Sequence, residues 1–290
     1  MSEAIVVGVD GSVAATRAVK WAVDDAARKH LPLRIVHVRE AWPYDITPYP
    51  APEEPDHAIV GASRMLASAK EIANHRQPEV AVTVELLDGV PAKVLREQAT
   101  SGAEVVLGSR GLGGFAGALL GSVSTHVAGH AHGPVIVVRP REGVADDEVG
   151  DAGREIVVGV DDSEECEAAL GYAFEQARLR RVPLRAVYAW QLPVNAYALE
   201  ITADMDEVAK ARYDVAARKV EAWQAKSPEV ETSVEAPCAH PVTALTEASA
   251  AADLVAVGSR GRGAIGSVVL GSVSRAVLHH AHCPVAVIRS

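Results

Sequence analysis

The sequence has few cysteines, no excess of positive charge and no long apolar run. Its three cysteines, Cys166, Cys238 and Cys283, are too few and too scattered for a disulfide framework or a zinc cage. Lys and Arg total 28 against 38 Asp and Glu, which disfavours non-specific binding to nucleic acid or acidic membranes. No stretch reaches the ~18–20 apolar residues of a membrane span, and no basic segment precedes the first apolar run. We therefore expect a cytoplasmic protein that binds neither nucleic acid nor membranes.

The chain carries one domain-sized sequence twice. Residues 5–12, IVVGVDGS, return as IVVGVDDS at residues 156–163, about 150 positions later. Residues 105–140 match residues 255–290 at more than half of their positions. Such a period is a whole domain, whereas the units of a solenoid span about 20–50 residues. The sequence thus predicts domains at 1–140 and 154–290, joined by an acidic, flexible linker at 141–153.

Within each copy, short β-branched segments alternate with segments of helical periodicity. The strands predicted in the first copy are 4–9, 33–38, 80–86, 104–108 and 134–138. Its predicted helices are 12–30, with Ser12 as N-cap, 57–75, 92–101 and 122–132. Several strands are apolar without alternation, as in a parallel sheet that helices cover on both faces. The pattern predicts an α/β fold with two tandem doubly wound parallel sheets, which bind ligands outside the carboxyl ends of their strands.

A glycine-rich segment follows the fourth predicted strand of each copy and leads into the last helix. Arg110 and Arg260 stand at the same place in the two segments, and a Gly-Ser pair begins each helix. The free N–H groups and the dipole of a helix start favour an anion, and glycines let the backbone approach phosphate oxygens. Because both copies keep this spacing, we interpret it as a phosphate site rather than as an ordinary surface loop with serine N-caps.

Other chemical motifs are weaker or missing. The phosphate-binding lysine of a P-loop has no counterpart, and the match of residues 261–266 to G-x-G-x-x-G lacks the second half of a dinucleotide-binding fold. His126 and His130 have a spacing that suits a metal, but the pair is not repeated and no acidic ligand is nearby. No Ser/His/Asp or Cys/His arrangement recurs in both copies. The sequence therefore names no catalytic residue and no protein metal site.

The repeated motifs resemble the ATP-binding pattern of the universal stress protein family in its tandem two-domain form. That pattern is G-x2-G-x9-G-S/T, preceded by an N-terminal strand ending in V-G-V-D-x-S, and both copies contain it. The resemblance implies five-stranded parallel sheets in the order 3-2-1-4-5, of the adenine-nucleotide alpha-hydrolase-like type. It also implies that adenine nucleotide binds along the carboxyl edge of each sheet.

The resemblance assigns ligand contacts in both copies. Asp10 and Asp161 would bond the ribose hydroxyls, and Gly8 and Gly159 would lie close to the nucleoside. Val38 and Ala189 would meet the adenine through their backbone. The implied phosphate cradles are Gly108, Arg110, Gly111, Gly121, Ser122, Val123 and Ser124 in the first copy, and Gly258, Arg260, Gly261, Gly271, Ser272, Val273 and Ser274 in the second. Magnesium would be held through the ATP phosphates.

The second copy departs from the family pattern at one turn. Gly89-Val-Pro-Ala92 resembles the G-x-P-A turn that lies near the adenine in this family. The second copy has Ala239-His-Pro-Val242 there. A methyl at Ala239 and the bulk of His240 are expected to narrow the second pocket.

The expected function is a stress sensor or regulator that binds one ATP per domain and acts on a protein partner that the sequence does not identify. A regulator that binds cAMP or AMP is one alternative. A weak ATPase or nucleotidyl-transferring enzyme of related architecture is another. No general base or arginine finger can be named, yet slow ATP hydrolysis stays open. A homodimer is also open.

The final strand of each copy leads to a prediction about assembly. Residues 135–138 and 285–288 would lie at sheet edges in the 3-2-1-4-5 order, and each is short, apolar and free of charge and proline. We predict that they pair antiparallel, so that the two domains form an intramolecular pseudo-dimer. Val137→Lys should then separate the domains and lower stability. Crosslinking between domains and urea unfolding measure both effects, and a variant unchanged in both would contradict the pairing.

Overall fold

The computed structural model describes residues 4–40, 57–99, 104–112, 120–140, 154–163, 165–191, 205–261 and 270–289. The chain divides into two units, which largely correspond to the two sequence copies. The first and second copies are called the first and second domain below. The predicted linker, 141–153, lies outside the described residues, so the domain boundaries stay a prediction. Among the described helices, none is long and apolar enough to cross a membrane.

The first domain is a parallel sheet with interspersed helices. Its described strands are β1 (Ile5–Gly8), β2 (Leu33–Arg39), β3 (Val82–Asp88), β4 (Glu104–Gly108) and β5 (Val135–Val138). Its described helices are α1 (Val13–Lys29), α2 (His57–Arg76), α3 (Pro91–Gln98) and α4 (Ser122–His130). The strands pair in parallel in the order β3-β2-β1-β4-β5. The predicted order 3-2-1-4-5 is confirmed.

The second domain repeats this arrangement. Its described strands are β6 (Glu155–Gly159), β7 (Leu184–Val187), β8 (Thr232–Glu235), β9 (Ala252–Gly258) and β10 (Val285–Ile288). Its described helices are α5 (Glu165–Arg180), α6 (Met205–Gln224), α7 (Pro241–Ser249) and α8 (Ser272–His280). The strand order is β8-β7-β6-β9-β10, again parallel. The predicted pair of doubly wound α/β domains is therefore confirmed.

The unbroken apolar strands form the core of each sheet. Every residue of β1, β4 and β5 is buried, which agrees with helices covering both faces of the sheet. The outer strand β3 has only half-buried and exposed residues. The central strands therefore provide a rigid base, and their carboxyl ends present the residues that follow them.

Local hydrogen bonds explain where the elements begin and end. The Ser12 hydroxyl accepts from the N–H of Ala15, so the predicted N-cap of α1 is confirmed. Strand β3 begins two residues later than predicted, because the Val80 N–H donates to the Gln77 carbonyl and closes a turn there. Helix α4 ends at His130 rather than at residue 132, since Ala131 is already extended.

A buried ionic cluster joins the end of α1 to the start of β4. The Lys29 ammonium lies between the carboxylates of Asp25 and Glu104, and all three side chains are at most 9% exposed. Burial alone would lower the pKa of Lys29, but the charges of Glu104 and Asp25 raise the pKa above its ordinary value. The lysine therefore stays charged and balances the buried carboxylates, with Arg28 as a second cation 3.7 Å from Asp25.

Lys29→Met should destabilise the protein by about 3–5 kcal/mol, because the variant removes the ammonium that lies between two buried carboxylates. The measurement is the free energy of unfolding in urea. Lys93→Met is the control, since Lys93 is exposed on α3 and the same change there should cost little. Equal effects of the two changes would contradict a structural role for the cluster.

Candidate functional site

A cavity of about 300 Å³ opens at the carboxyl edge of the first domain's sheet. Strands β1, β2 and β4 end beside it and α4 begins there, which is the switch point of the 3-2-1-4-5 order. All ten residues that the resemblance assigns in the first copy line this cavity. They are Gly8, Asp10, Val38, Gly108, Arg110, Gly111, Gly121, Ser122, Val123 and Ser124. The fold thus brings together residues up to 116 positions apart in sequence.

One side of the cavity is largely apolar, and most of its residues were not predicted from the sequence. The further lining residues are Val9, Ala15, Val36, His37, Pro91, Leu95 and Leu107. Pro91 belongs to the G-x-P-A turn, and Leu95 follows it one helical turn later on α3, so helical spacing from that turn was an available signal. A Cβ on Gly8 would lie only 2.7 Å from Leu107 Cδ2 and 3.1 Å from Leu95 Cδ1. Gly8 therefore lets these leucines close the cavity floor.

The carboxylate of Asp10 links the end of β1 to the loop after β4. One oxygen accepts from the Ser12 N–H at 3.0 Å and the other from the Leu112 N–H at 2.8 Å. A Cβ on Gly111 would collide with the Asp10 Oδ2 atom. The second glycine of G-x2-G is thus required by the close approach of Asp10, a reason that the sequence motif alone did not reveal.

The start of α4 presents backbone donors to the cavity that have no side-chain cap among the residues that the structure describes. Gly121 is the N-cap and has no side chain that could accept from the first helical turn. The N–H groups of Ser122, Val123 and Ser124 therefore point out of the helix start, with the positive end of the helix dipole behind them. Helix α1 differs, because the Ser12 hydroxyl accepts from the Ala15 N–H in its first turn. Of these two helix starts, α4 is the one suited to an anion.

Two hydrogen bonds hold this helix start in place. The Gly121 N–H donates to the Ser109 carbonyl at 2.7 Å, and the Ser124 hydroxyl donates to the Gly108 carbonyl at 2.7 Å. Because its single hydroxyl proton is used in this way, Ser124 offers the cavity its backbone N–H. Ser122 and Arg110 are exposed, so the hydroxyl and the guanidinium are accessible at the mouth.

The second domain repeats this framework. The assigned residues Gly159, Asp161, Ala189, Gly258, Arg260, Gly261, Gly271, Ser272, Val273 and Ser274 all follow or end the corresponding strands or begin α8. Asp161 accepts from the Ser163 N–H at 2.9 Å, and a Cβ on Gly261 would lie 2.7 Å from Asp161 Oδ2. The Ser274 hydroxyl donates to the Gly258 carbonyl at 2.6 Å. The aspartate and serine contacts thus match those of the first domain.

The two domains differ at two positions near the site, the one occupied by His37 or Tyr188 and the turn that contains His240. His37, whose Nδ1 lies 2.8 Å from the Val9 carbonyl oxygen, corresponds to Tyr188 in the second domain. The buried Tyr188 hydroxyl donates to Asp162 at 3.0 Å. At the turn expected to narrow the second pocket, His240 is exposed and its Nδ1 accepts from the Val242 N–H. His240 therefore acts as the N-cap of α7.

These observations define a class of protein: tandem doubly wound α/β domains, each with a glycine-framed helix start at the carboxyl edge of its sheet. The sequence profile of the universal stress protein family matches residues 1–139 and 153–289. The chain belongs to this family, so the resemblance found in the sequence is confirmed.

Relatives and solved structures agree with this assignment. A universal stress protein of Mycobacterium tuberculosis is 36% identical over 295 residues, covering 98% of this chain and 96% of that protein. Another from Mycolicibacterium smegmatis is 33% identical over 298 residues, covering 98% and 96%. The crystal structure of a universal stress protein from Archaeoglobus fulgidus superposes with a TM-score of 0.67 at 21% identity, covering 100% of this chain and 99% of that one. This last likeness supports the tandem fold.

Gly111→Ala should destabilise the protein by about 1–3 kcal/mol, because the added methyl group displaces the Asp10 carboxylate from its bond to Leu112. Gly121→Ala is the matched control, since a Cβ there meets only ordinary contacts, the nearest at 3.5 Å. Its cost should stay below about 1 kcal/mol. Urea unfolding of both variants is the measurement. A larger loss of unfolding free energy in Gly121→Ala than in Gly111→Ala would contradict the role assigned to Gly111.

Proposed function

We propose that this protein is a nucleotide-dependent stress sensor or regulator that binds ATP, with one site in each domain. The observation that carries the proposal is the helix start of α4. Its N–H groups, which no described side chain caps, open into a cavity that also holds an aspartate and an apolar floor. Such a cavity has complementary surfaces for the three parts of a nucleotide. Its volume of about 300 Å³ falls at the lower end of the range of about 300–1,000 Å³ for ligand sites.

The phosphates are proposed to lie at the start of α4. The N–H groups of Ser122, Val123 and Ser124 donate to their oxygens, and the helix dipole and Arg110 oppose their charge. Gly121 keeps the helix start open, because any side chain there would extend toward the same space. Magnesium is proposed to enter with ATP, held by the phosphate oxygens.

The ribose is proposed to bind Asp10. Its carboxylate already accepts from Ser12 and Leu112, and an ionised carboxylate has about four acceptor positions. Two positions remain for the ribose hydroxyls, so Asp10 would hold the loop and the sugar together. The base is proposed to lie along Val38 and above Leu95 and Leu107, where a flat apolar ring displaces water from apolar surface.

The regulatory step follows from these contacts. A bound nucleotide would touch the residue after β1, the loop after β4 and the start of α4 together, and would therefore reduce their motion relative to one another. A partner protein that recognises this ordered edge would read the bound state. The cytoplasm is the proposed compartment, and a homodimer stays a proposal.

Isothermal titration calorimetry with Mg-ATP should give two sites per wild-type chain. Gly121→Glu and Gly271→Glu should each lower the affinity of one site by roughly a hundredfold, because the carboxylate takes the place of a phosphate at the helix start. Each variant should then titrate with one site. AMP and cAMP are titrated in parallel to test ligand choice.

Gly121→Gln and Gly271→Gln are the matched controls, since they add nearly the same bulk without the charge. They should lose less affinity than the glutamate variants. Circular dichroism and urea unfolding establish that all four variants remain folded. Wild-type protein that takes up no adenine nucleotide at millimolar concentration would contradict the proposal, as would glutamate variants that both retain two unaltered sites.

A further inference from the structure

The start of the first helix is more acidic in the second domain than in the first. Residues 162, 164 and 165 are acidic, whereas their counterparts are Gly11, Val13 and Ala14, and Glu165 lies beside the glycine loop. In the first domain Ala14 packs against Gly108, where an added Cβ would lie 2.6 Å from the Ala14 carbonyl carbon. In the second domain Glu165 packs against Gly258, where an added Cβ would lie 3.1 Å from Glu165 Cβ. Ala14 and Glu165 therefore occupy the same place, at the first turn of α1 and α5. The second domain has a carboxylate where the first has a methyl group.

The carboxylate of Glu165 is directed at the arginine of the glycine loop. Glu165 Oε1 lies 3.9 Å from Arg260 Nε, and the two side chains are 21% and 30% exposed. The Arg260 Nε atom is buried and has no hydrogen-bond partner among the described residues. A buried guanidinium N–H that faces a carboxylate without a close bond is available to a better acceptor. Arg110, its counterpart in the first domain, meets no such carboxylate from residue 14, because Ala14 is uncharged.

A second arginine shares this environment. Arg289 follows β10, and its Nε donates to the Ser259 hydroxyl at 3.4 Å. Burial and the charge of Arg260 lower the pKa of Arg289, whereas the charge of Glu165 raises it. Glu165 therefore faces Arg260 directly, and its charge also acts on Arg289. Neutralising Glu165 would leave Arg260 without this competing carboxylate.

We propose that Glu165 determines specificity in the second domain by lowering its preference for ATP over AMP relative to the first domain. The inference rests on the proposed function, because it concerns phosphate chains bound at this helix start. A ligand phosphate must compete with Glu165 for Arg260 and must lie near its negative charge. Each further phosphate adds negative charge, so the penalty is larger for the triphosphate than for the monophosphate.

The consequence is two sites in one chain that respond to different nucleotide ratios. The first domain, with Ala14, fills when ATP is abundant. The second domain discriminates less between ATP and AMP, and its occupancy by each follows their relative concentrations more closely. A partner that contacts both domains would then receive information on the ratio as well as on the presence of ATP.

The test uses full-length Gly121→Glu protein, in which the first site is weakened and the second site can be measured by itself. ATP and AMP are titrated into this protein by calorimetry. Glu165→Gln should raise the ATP affinity about tenfold, the scale of one charge-assisted hydrogen bond, and the AMP affinity less than about threefold. Glu175→Gln is the control: it removes the same charge from an exposed position of the same helix, about 15 Å away along α5. That control should leave both affinities unchanged.

The reciprocal change is Ala14→Glu, made in Gly271→Glu protein, in which the second site is weakened. This change should lower the ratio of ATP affinity to AMP affinity at the first site. If Glu165→Gln left the ratio of ATP affinity to AMP affinity unchanged, the inference would be overturned, whereas the proposal that the protein binds nucleotides would stand. Failure of the first site to bind any adenine nucleotide would instead overturn the proposed function. Should Ala14→Glu fail to fold, the Glu165→Gln ratio still decides the matter.

Discussion

The carboxylate of Asp10 and the missing side chain of Gly111 form one contact on which the candidate site depends. Asp10 accepts from the N–H of Ser12, which follows β1, and from the N–H of Leu112, which follows β4. Only a glycine at position 111 leaves room for it. The contact links two strand ends where the sheet order reverses. With those ends joined, the loop after β4 and the start of α4 face the same cavity. Asp161 and Gly261 repeat the contact in the second domain.

Backbone dipoles contribute to the electrostatics at this edge alongside the charged side chains. The chain is acidic overall, with 38 Asp and Glu against 28 Lys and Arg, and net charge would repel a polyphosphate. The start of α4 supplies oriented N–H dipoles at short range, which act where the ligand would lie. Serine hydroxyls donate inward, to Gly108 and Gly258, and hold these helix starts against the strands. A locally positive site is thereby compatible with an acidic surface.

Duplication has preserved the frame of the site and changed its surroundings. Asp10 and Asp161 each accept from the N–H two residues later, Gly111 and Gly261 each face that aspartate, and Ser124 and Ser274 each donate to a strand-end carbonyl. Backbone approach and strand ends constrain these contacts. Positions around the frame are less constrained: His37 is replaced by Tyr188, and Ala14 by Glu165. These changes leave the fold intact and alter the charge and shape that a ligand would meet. Differences in ligand preference between the domains would arise from such peripheral positions.

The sequence by itself determined the two domains, the strand–helix alternation, the strand order implied by the family and the residues of the glycine loops, because repetition and apolar periodicity are local or directly comparable signals. It did not reveal the apolar floor, since Leu95 and Leu107 meet Gly8 only when α3, β1 and β4 pack together. Nor did it show that Gly111 makes room for Asp10 or that Glu165 reaches Arg260. Those pairs are about 100 positions apart, and their proximity follows from which strands lie side by side. Tertiary packing decided them, because a contact between distant segments depends on strand order and crossover geometry rather than on local pattern.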